Sequence, residues 1–175
     1  MKACRRALLP IGLIAAAALL LGACAKADPL SRTLDASSPL SLTMWRSNAN
    51  DFLSAEQQAD LDLSLQQIRF AIMGEGRVSG SEAIEAELLQ RVDGMSVRAV
   101  LKLGLGADLA REVAERDATR AFIQRNATVR TAAGDLASQD YLEHFRETQE
   151  RRLKAAEDEI ARVSARLAAD GIAPP

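Results

Sequence analysis

From Leu153 onward the chain places Leu153, Ala156, Ile160, Val163 and Leu167 three and four residues apart, the spacing of a narrow coiled-coil seam. Leu142 and Phe145 carry the same face back toward Ser138, so the pattern predicts one helix over 138–170. At 1.5 Å per residue that helix reaches roughly 45 Å, longer than a compact domain of this size needs. Its stripe must therefore be covered by another long helix. The nearest is the segment before it: Ser96 is an N-cap residue ahead of Val97, Val100, Leu101, Leu105, Leu109 and Val113, and the pattern continues through Phe122 and Ile123 to Asn126. Residues 127–137, with Gly134-Asp135, read as the turn between the two. The result is an antiparallel hairpin with coiled-coil-like character. Intermolecular pairing competes for the same seam, which makes Leu153, Ile160, Val163 and Leu167 candidate partner-binding residues.

The remaining helices are short and predict a small base, so the fold class is all-α. Ser38-Pro39 gives an N-cap followed by proline at the first helical position, leading Leu42 and Trp45. Trp45 is read as plugging a core edge, with a membrane-interface role as the alternative. Ser54-Ala55-Glu56-Gln57 is a capping box, after which Leu61, Leu65, Ile68 and Ile72 form one apolar face. Ser79-Gly80-Ser81-Glu82 offers a second box before Ile84, Leu88 and Val92. Together these make 39–126 the helical base and first long helix. Gly104 and Gly106 interrupt that helix at about 1 kcal/mol each relative to Ala, which predicts close backbone packing with or without a kink.

The first 23 residues stand apart. Lys2, Arg5 and Arg6 precede an uncharged stretch from Ala7 to Ala23, the pattern of a signal peptide, although a retained anchor helix has nearly the same length. Leu21-Gly22-Ala23-Cys24 resembles the lipobox of bacterial lipoproteins. The resemblance implies cleavage between Ala23 and Cys24, acylation of Cys24, and anchoring to the cell envelope through a thioether-linked lipid. Ala25 follows the cysteine where an Asp would retain the protein, which implies the outer membrane, facing the periplasm. Residues 24–38, rich in Ala, Ser and Asp, read as a tether. Cys4 leaves with the peptide, so the processed chain holds no disulfide. Residues 171–175 are a tail without a terminal Lys, so linkage to peptidoglycan is not expected.

Removing Lys2, Arg5 and Arg6 from 22 basic side chains leaves 19 against 24 acidic, a balance of −5. No basic cluster stands out, so nucleic acid is not expected as a partner, and the acidic surface disfavours anionic lipid. Asp35-Ala36-Ser37-Ser38, Leu53-Ser54-Ala55-Glu56-Gln57 and Val92-Asp93-Gly94-Met95-Ser96-Val97 resemble a group of small bacterial lipoproteins known only as a family of unknown function. The similarity spans about residues 34–126. It implies a helical envelope protein and brings no activity.

Motifs for chemistry are sparse. Gly74-Glu75-Gly76-Arg77-Val78-Ser79-Gly80 lacks the Lys of a phosphate loop and reads as an interhelical connection. His144, with Asp140 one turn behind and Glu143 adjacent, is the sole histidine and a poor metal ligand without a second one. No cofactor, metal or catalytic residue is expected. The sequence favours a structural or interaction lipoprotein whose partner is an envelope protein or a second copy. A binding module for a hydrophobic small molecule near Gly104 and Gly106 is the alternative, and a hydrolase centred on His144 a weaker one.

Overall fold

Three of the expected capping residues start helices in the computed structural model, which describes residues 28–132 and 135–173. Ser38 accepts from the Ser41 N–H at 3.0 Å and opens α1 (Pro39–Ala49). Ser54 opens α2 (Ala55–Glu75) with both arms of its box, 3.2 Å from the Gln57 N–H and 3.1 Å back from the Ser54 N–H. Ser96 opens α4 (Val97–Asn126), 3.2 Å from the Ala99 N–H. The box expected at Ser79 does not form. Gly80, at φ 90°, is the cap of α3 (Ser81–Val92), because the chain leaves α2 through left-handed Gly76 and needs a second positive φ to re-enter. The final helix α5 (Leu136–Ala169) starts two residues earlier than expected, since Asp135 rather than Ser138 is its cap.

The fold is all-helical, and α4 and α5 pack against each other as a hairpin. Among the described residues no helix is long and apolar enough to cross a membrane. The expected signal peptide, the expected Ala23–Cys24 cleavage site and the expected acylation site at Cys24 lie outside the described residues.

The expected apolar faces meet in one core. Leu61, Leu65, Ile68 and Ile72 of α2 are buried, as are Leu88 and Val92 of α3 and Val97, Val100, Leu101 and Leu105 of α4. From α5, Val163 and Leu167 complete it. The helices α2 and α4 run in the same direction, with Gln57 near Asp170 at one end and Gln67 bonded by Arg111 further along. Helix α5 runs back antiparallel, placing Asp170 beside Arg98 and Arg152 beside Glu115.

Gly104 decides how closely α2 and α4 approach. A Cβ there would sit 2.4 Å from both Cα and Cβ of Ser64, inside any real contact, so the two backbones touch. Close packing is the reason for this glycine, and α4 is a single helix through it.

The structureless tether expected over 24–38 is corrected from Asp28 onward. Pro29–Ser31 is a 3-10 turn, and Leu30, Leu34 and Ala36 are buried. The segment then lies antiparallel to the α3–α4 connection. The Leu34 N–H donates to Met95 O at 2.8 Å, Gly94 N–H to Leu34 O at 3.0 Å, and Val97 N–H to Arg32 O at 2.9 Å. The Ala36 N–H adds a bond to the Asp93 carboxylate at 2.8 Å. Extended backbone sends alternate side chains to opposite sides, so Leu34 and Ala36 enter the core while Thr33 and Asp35 stay outside.

Candidate functional site

The seam expected to meet a partner is covered from within the chain. Val163 and Leu167 have no exposed surface, and Leu153 and Ile160 are half-buried. Val163 and Leu167 are thus taken up by the chain's own core as α4 and α5 pack together, while Leu153 and Ile160 of the expected partner-binding seam keep part of their surface. Arg120–Glu157 (2.8 Å) and Arg152–Glu115 flank the pairing from outside, where exposed ion pairs contribute at most about 1 kcal/mol. Along α5 itself the charges pair within the helix. Lys154 pairs with Asp158 at 2.9 Å and Arg162 with Glu159.

His144 is exposed, as are Asp140 and Glu143, and the nearby Thr148 hydroxyl only caps the His144 carbonyl at 2.9 Å. Among the described residues no group of three or more His, Cys, Asp and Glu side chains could hold a metal. The Gly74–Gly80 stretch holds the last two residues of α2 and, from Gly76 to Gly80, the expected connection to α3.

Two clusters emerge that the sequence did not single out. The first is a buried polar layer where α2, α4 and α5 meet. Asp60 is bridged by Arg166 at 2.8 Å, and Asp108, almost wholly buried, is held by Arg111, which also reaches Gln67 at 2.7 Å. Burial pushes both carboxyls above their ordinary range, against the pull of Arg166 on Asp60 and of Arg111 on Asp108. A carboxyl with a raised native pKa binds protons more readily when folded, so stability is gained as pH falls through that pKa and the gain is complete below the unfolded value. The exposed carboxylates of Asp28, Asp35, Glu75 and Asp135 are lowered, chiefly by side-chain hydrogen bonds, and act oppositely below the usual carboxylate range. Urea midpoints should therefore rise as pH falls through the raised titrations of Asp60 and Asp108, and fall again once the lowered carboxylates take up protons; Asp108→Asn should flatten the rise. A midpoint that fell steadily with acid would show that the buried pair does not dominate.

The second cluster lies at the far end of the hairpin. Beyond the α2–α4 crossing only two helices remain, and a two-helix ribbon leaves apolar side chains uncovered on its flanks. Phe122 meets Phe145 edge-on at 5.6 Å, and Tyr141 stacks over Phe145 at 6.3 Å. Phe122 and Phe145, with Ile123, Val129 and Leu142, line a cleft of about 320 Å³ whose polar lining includes Arg146, Gln149 and Glu150. Arg146 donates to the Val129 carbonyl at 2.9 Å, and Arg130 donates to the carbonyls of Ala127 and Val129. These guanidiniums pin the strand leaving α4, so that Val129 forms a wall. Leu136 and Tyr141 stand 76% and 69% exposed beside it. A larger hollow of about 590 Å³ shares the Val129, Leu142 and Arg146 wall, but its rim adds Glu143 and Glu147 and is too polar to anchor an apolar group.

What the tip can do chemically is bind: it offers aromatic and aliphatic surface with both charges at its edge. No protein-family model, curated protein or solved structure matches the chain.

Proposed function

We propose that the chain is a bacterial envelope lipoprotein, fixed to the membrane by acylated Cys24 and presenting the tip of its helical hairpin to a protein partner. The lipobox-like Leu21-Gly22-Ala23-Cys24 supports the anchor, and Ala25 after it supports the outer membrane. The observation that carries the interaction role is polarity along α4. Asp28, four residues after Cys24, is bonded to Arg98 in the first turn of α4 at 2.9 Å, and the exposed Val129, Leu136 and Tyr141 lie past its other end, roughly 45 Å away. The two most exposed large apolar side chains of the hairpin, Leu136 and Tyr141, are thus carried away from the end near Arg98, where Leu103 is 42% exposed. Exposed apolar clusters rimmed by charge mark protein interaction sites.

The small-molecule reading moves with the packing. Space beside Gly104 is filled by the Ser64 backbone, so an apolar ligand would have to use the tip cleft, whose volume is at the lower end for such sites.

Crosslinking tagged, full-length protein in living cells should capture one near-stoichiometric envelope protein. Replacing both Leu136 and Tyr141 by Ser should cut that capture at least ~10-fold, since buried aromatic anchors contribute about 1–2 kcal/mol or more each at interfaces. Capture undiminished by the double change would remove the tip from the proposal. Metabolic acyl labelling that persisted in Cys24→Ser would remove the anchor.

A further inference from the structure

We propose that the outer face of α1, with Leu40 and Met44 at its centre and Trp45 at its edge, rests in the headgroup boundary of the membrane to which Cys24 is attached. The inference rests on the lipid-anchor reading and adds a second, non-covalent contact to it.

Helix α1 displays Leu40 and Met44, one turn apart, 70% and 59% exposed, although neither packs on another helix. Thr43 and Ser47 flank them, also exposed and uncharged. It is the one described α-helix without a carboxylate, and its single charge, Arg46, is paired with Asp62 of α2. Of the acids at its two ends, Asp35 is bonded to Ser37, and Asp51 follows the C-terminus, at the opposite end from Leu40. The overall acidity that disfavours anionic lipid is therefore absent from this face. Arg32, which shares a hollow with Trp45 and lies 4.1 Å over the Phe52 ring, offers a guanidinium suited to a lipid phosphate.

Reach selects lipid over other occupants. The four residue steps from Cys24 to Asp28 span at most about 14 Å. From Asp28 the chain folds through the 3-10 turn to Thr33, whose carbonyl accepts from the Trp45 indole N–H at 2.8 Å. That bond, with the edge-on contact of Trp45 and Phe52 at 5.7 Å, ties α1 to the segment that emerges from the anchor. Helix α1 is consequently confined near the bilayer surface whenever Cys24 is inserted. A short helix with exposed Leu, Met and half-exposed Trp, held there, has the composition of an interfacial element.

Trp45 is the chain's only tryptophan, so its fluorescence reads the contact directly. The lipidated protein is reconstituted into phosphatidylethanolamine and phosphatidylglycerol vesicles, with and without bromine on the upper acyl carbons, and the mass of the Cys24 peptide is measured on the same sample. The expected result is an acylated Cys24 and Trp45 emission reduced at least ~2-fold by brominated lipid. Leu40→Ser with Met44→Ser should abolish the reduction while leaving helical content unchanged, as both side chains face outward. An acylated Cys24 with unquenched Trp45 overturns the α1 contact and leaves the anchor standing. A Cys24 peptide without lipid overturns the anchor reading and this inference with it. Trp45 shielding that depends on protein density rather than bromine assigns the face to a second copy and overturns the lipid contact.

Discussion

Gly104→Ala should destabilise the protein by about 3 kcal/mol, a larger effect than a single methyl usually has. The added Cβ would meet the Ser64 backbone, which no rotamer change can move aside, so α2 and α4 must separate along their crossing. Separation opens gaps around Leu61, Leu65, Leu101 and Leu105 at the same time. Gly74→Ala is the internal contrast. Nothing lies within 4 Å of a Cβ there, so the substitution should be neutral or stabilising by up to about 1 kcal/mol through helix propensity. Ser64→Ala should also stabilise, by about 1 kcal/mol, because the Ser64 hydroxyl is fully buried and has no hydrogen-bond partner among the described residues. Urea unfolding of the three variants measures all of this. Equal losses for Gly104→Ala and Gly74→Ala would mean that the helices do not meet at Ser64.

Leu167→Ala should cost about 3 kcal/mol, within the range for a fully buried leucine whose site collapses only partly. Leu167 has no exposed surface and sits where α5 closes the core formed by α2 and α4. Tyr141→Ala on the same helix should change stability by no more than about 0.5 kcal/mol, since the ring is 69% exposed. The contrast separates the two halves of α5: its C-terminal half holds the fold, and its N-terminal half carries the exposed Tyr141 ring without being needed for it. Thermal unfolding checks it. A seam that served a partner instead would give a small loss for Leu167→Ala and a large loss of capture.

Much of this architecture is legible in the residues. Local signals were sufficient for the helices, because a capping box such as Ser54–Gln57 or a Ser38-Pro39 start needs only neighbours within one turn. The hairpin is legible too, since a stripe as long as Leu142 to Leu167 requires a partner of similar length. What covers that stripe is not. Periodicity describes the seam identically whether α4 or another molecule fills it, and only the chain reversal after Asn126 decides. The N-terminal segment was missed because Leu34 and Ala36 alternate over too few residues to register, and their hydrogen-bond partners are about 60 residues away. Asp60 and Asp108 look like ordinary surface acids in sequence; their burial depends on Arg166, far along the chain, and on Gln67 and Arg111 filling one layer. At the tip, Phe122, Ile123, Leu142 and Phe145 were readable as face positions, but Val129 joins them only through its carbonyl, which Arg146 and Arg130 hold.

The backbone bonds joining Arg32 and Leu34 to the α3–α4 connection also set how the molecule bears force. A body fastened at one end transmits every pull on its far end through the residues nearest the fastening. Here a tug on the hairpin tip travels down α4 and reaches the Leu34–Met95, Gly94–Leu34 and Val97–Arg32 bonds together, with the Ala36–Asp93 bond beside them. Load is shared across that clasp before it reaches Asp28. On the anchor proposed above, the clasp joins the segment from Asp28 and the hairpin into one mechanical unit, so that a pull at the tip arrives as a shared load instead of unravelling residues 28–36 one at a time.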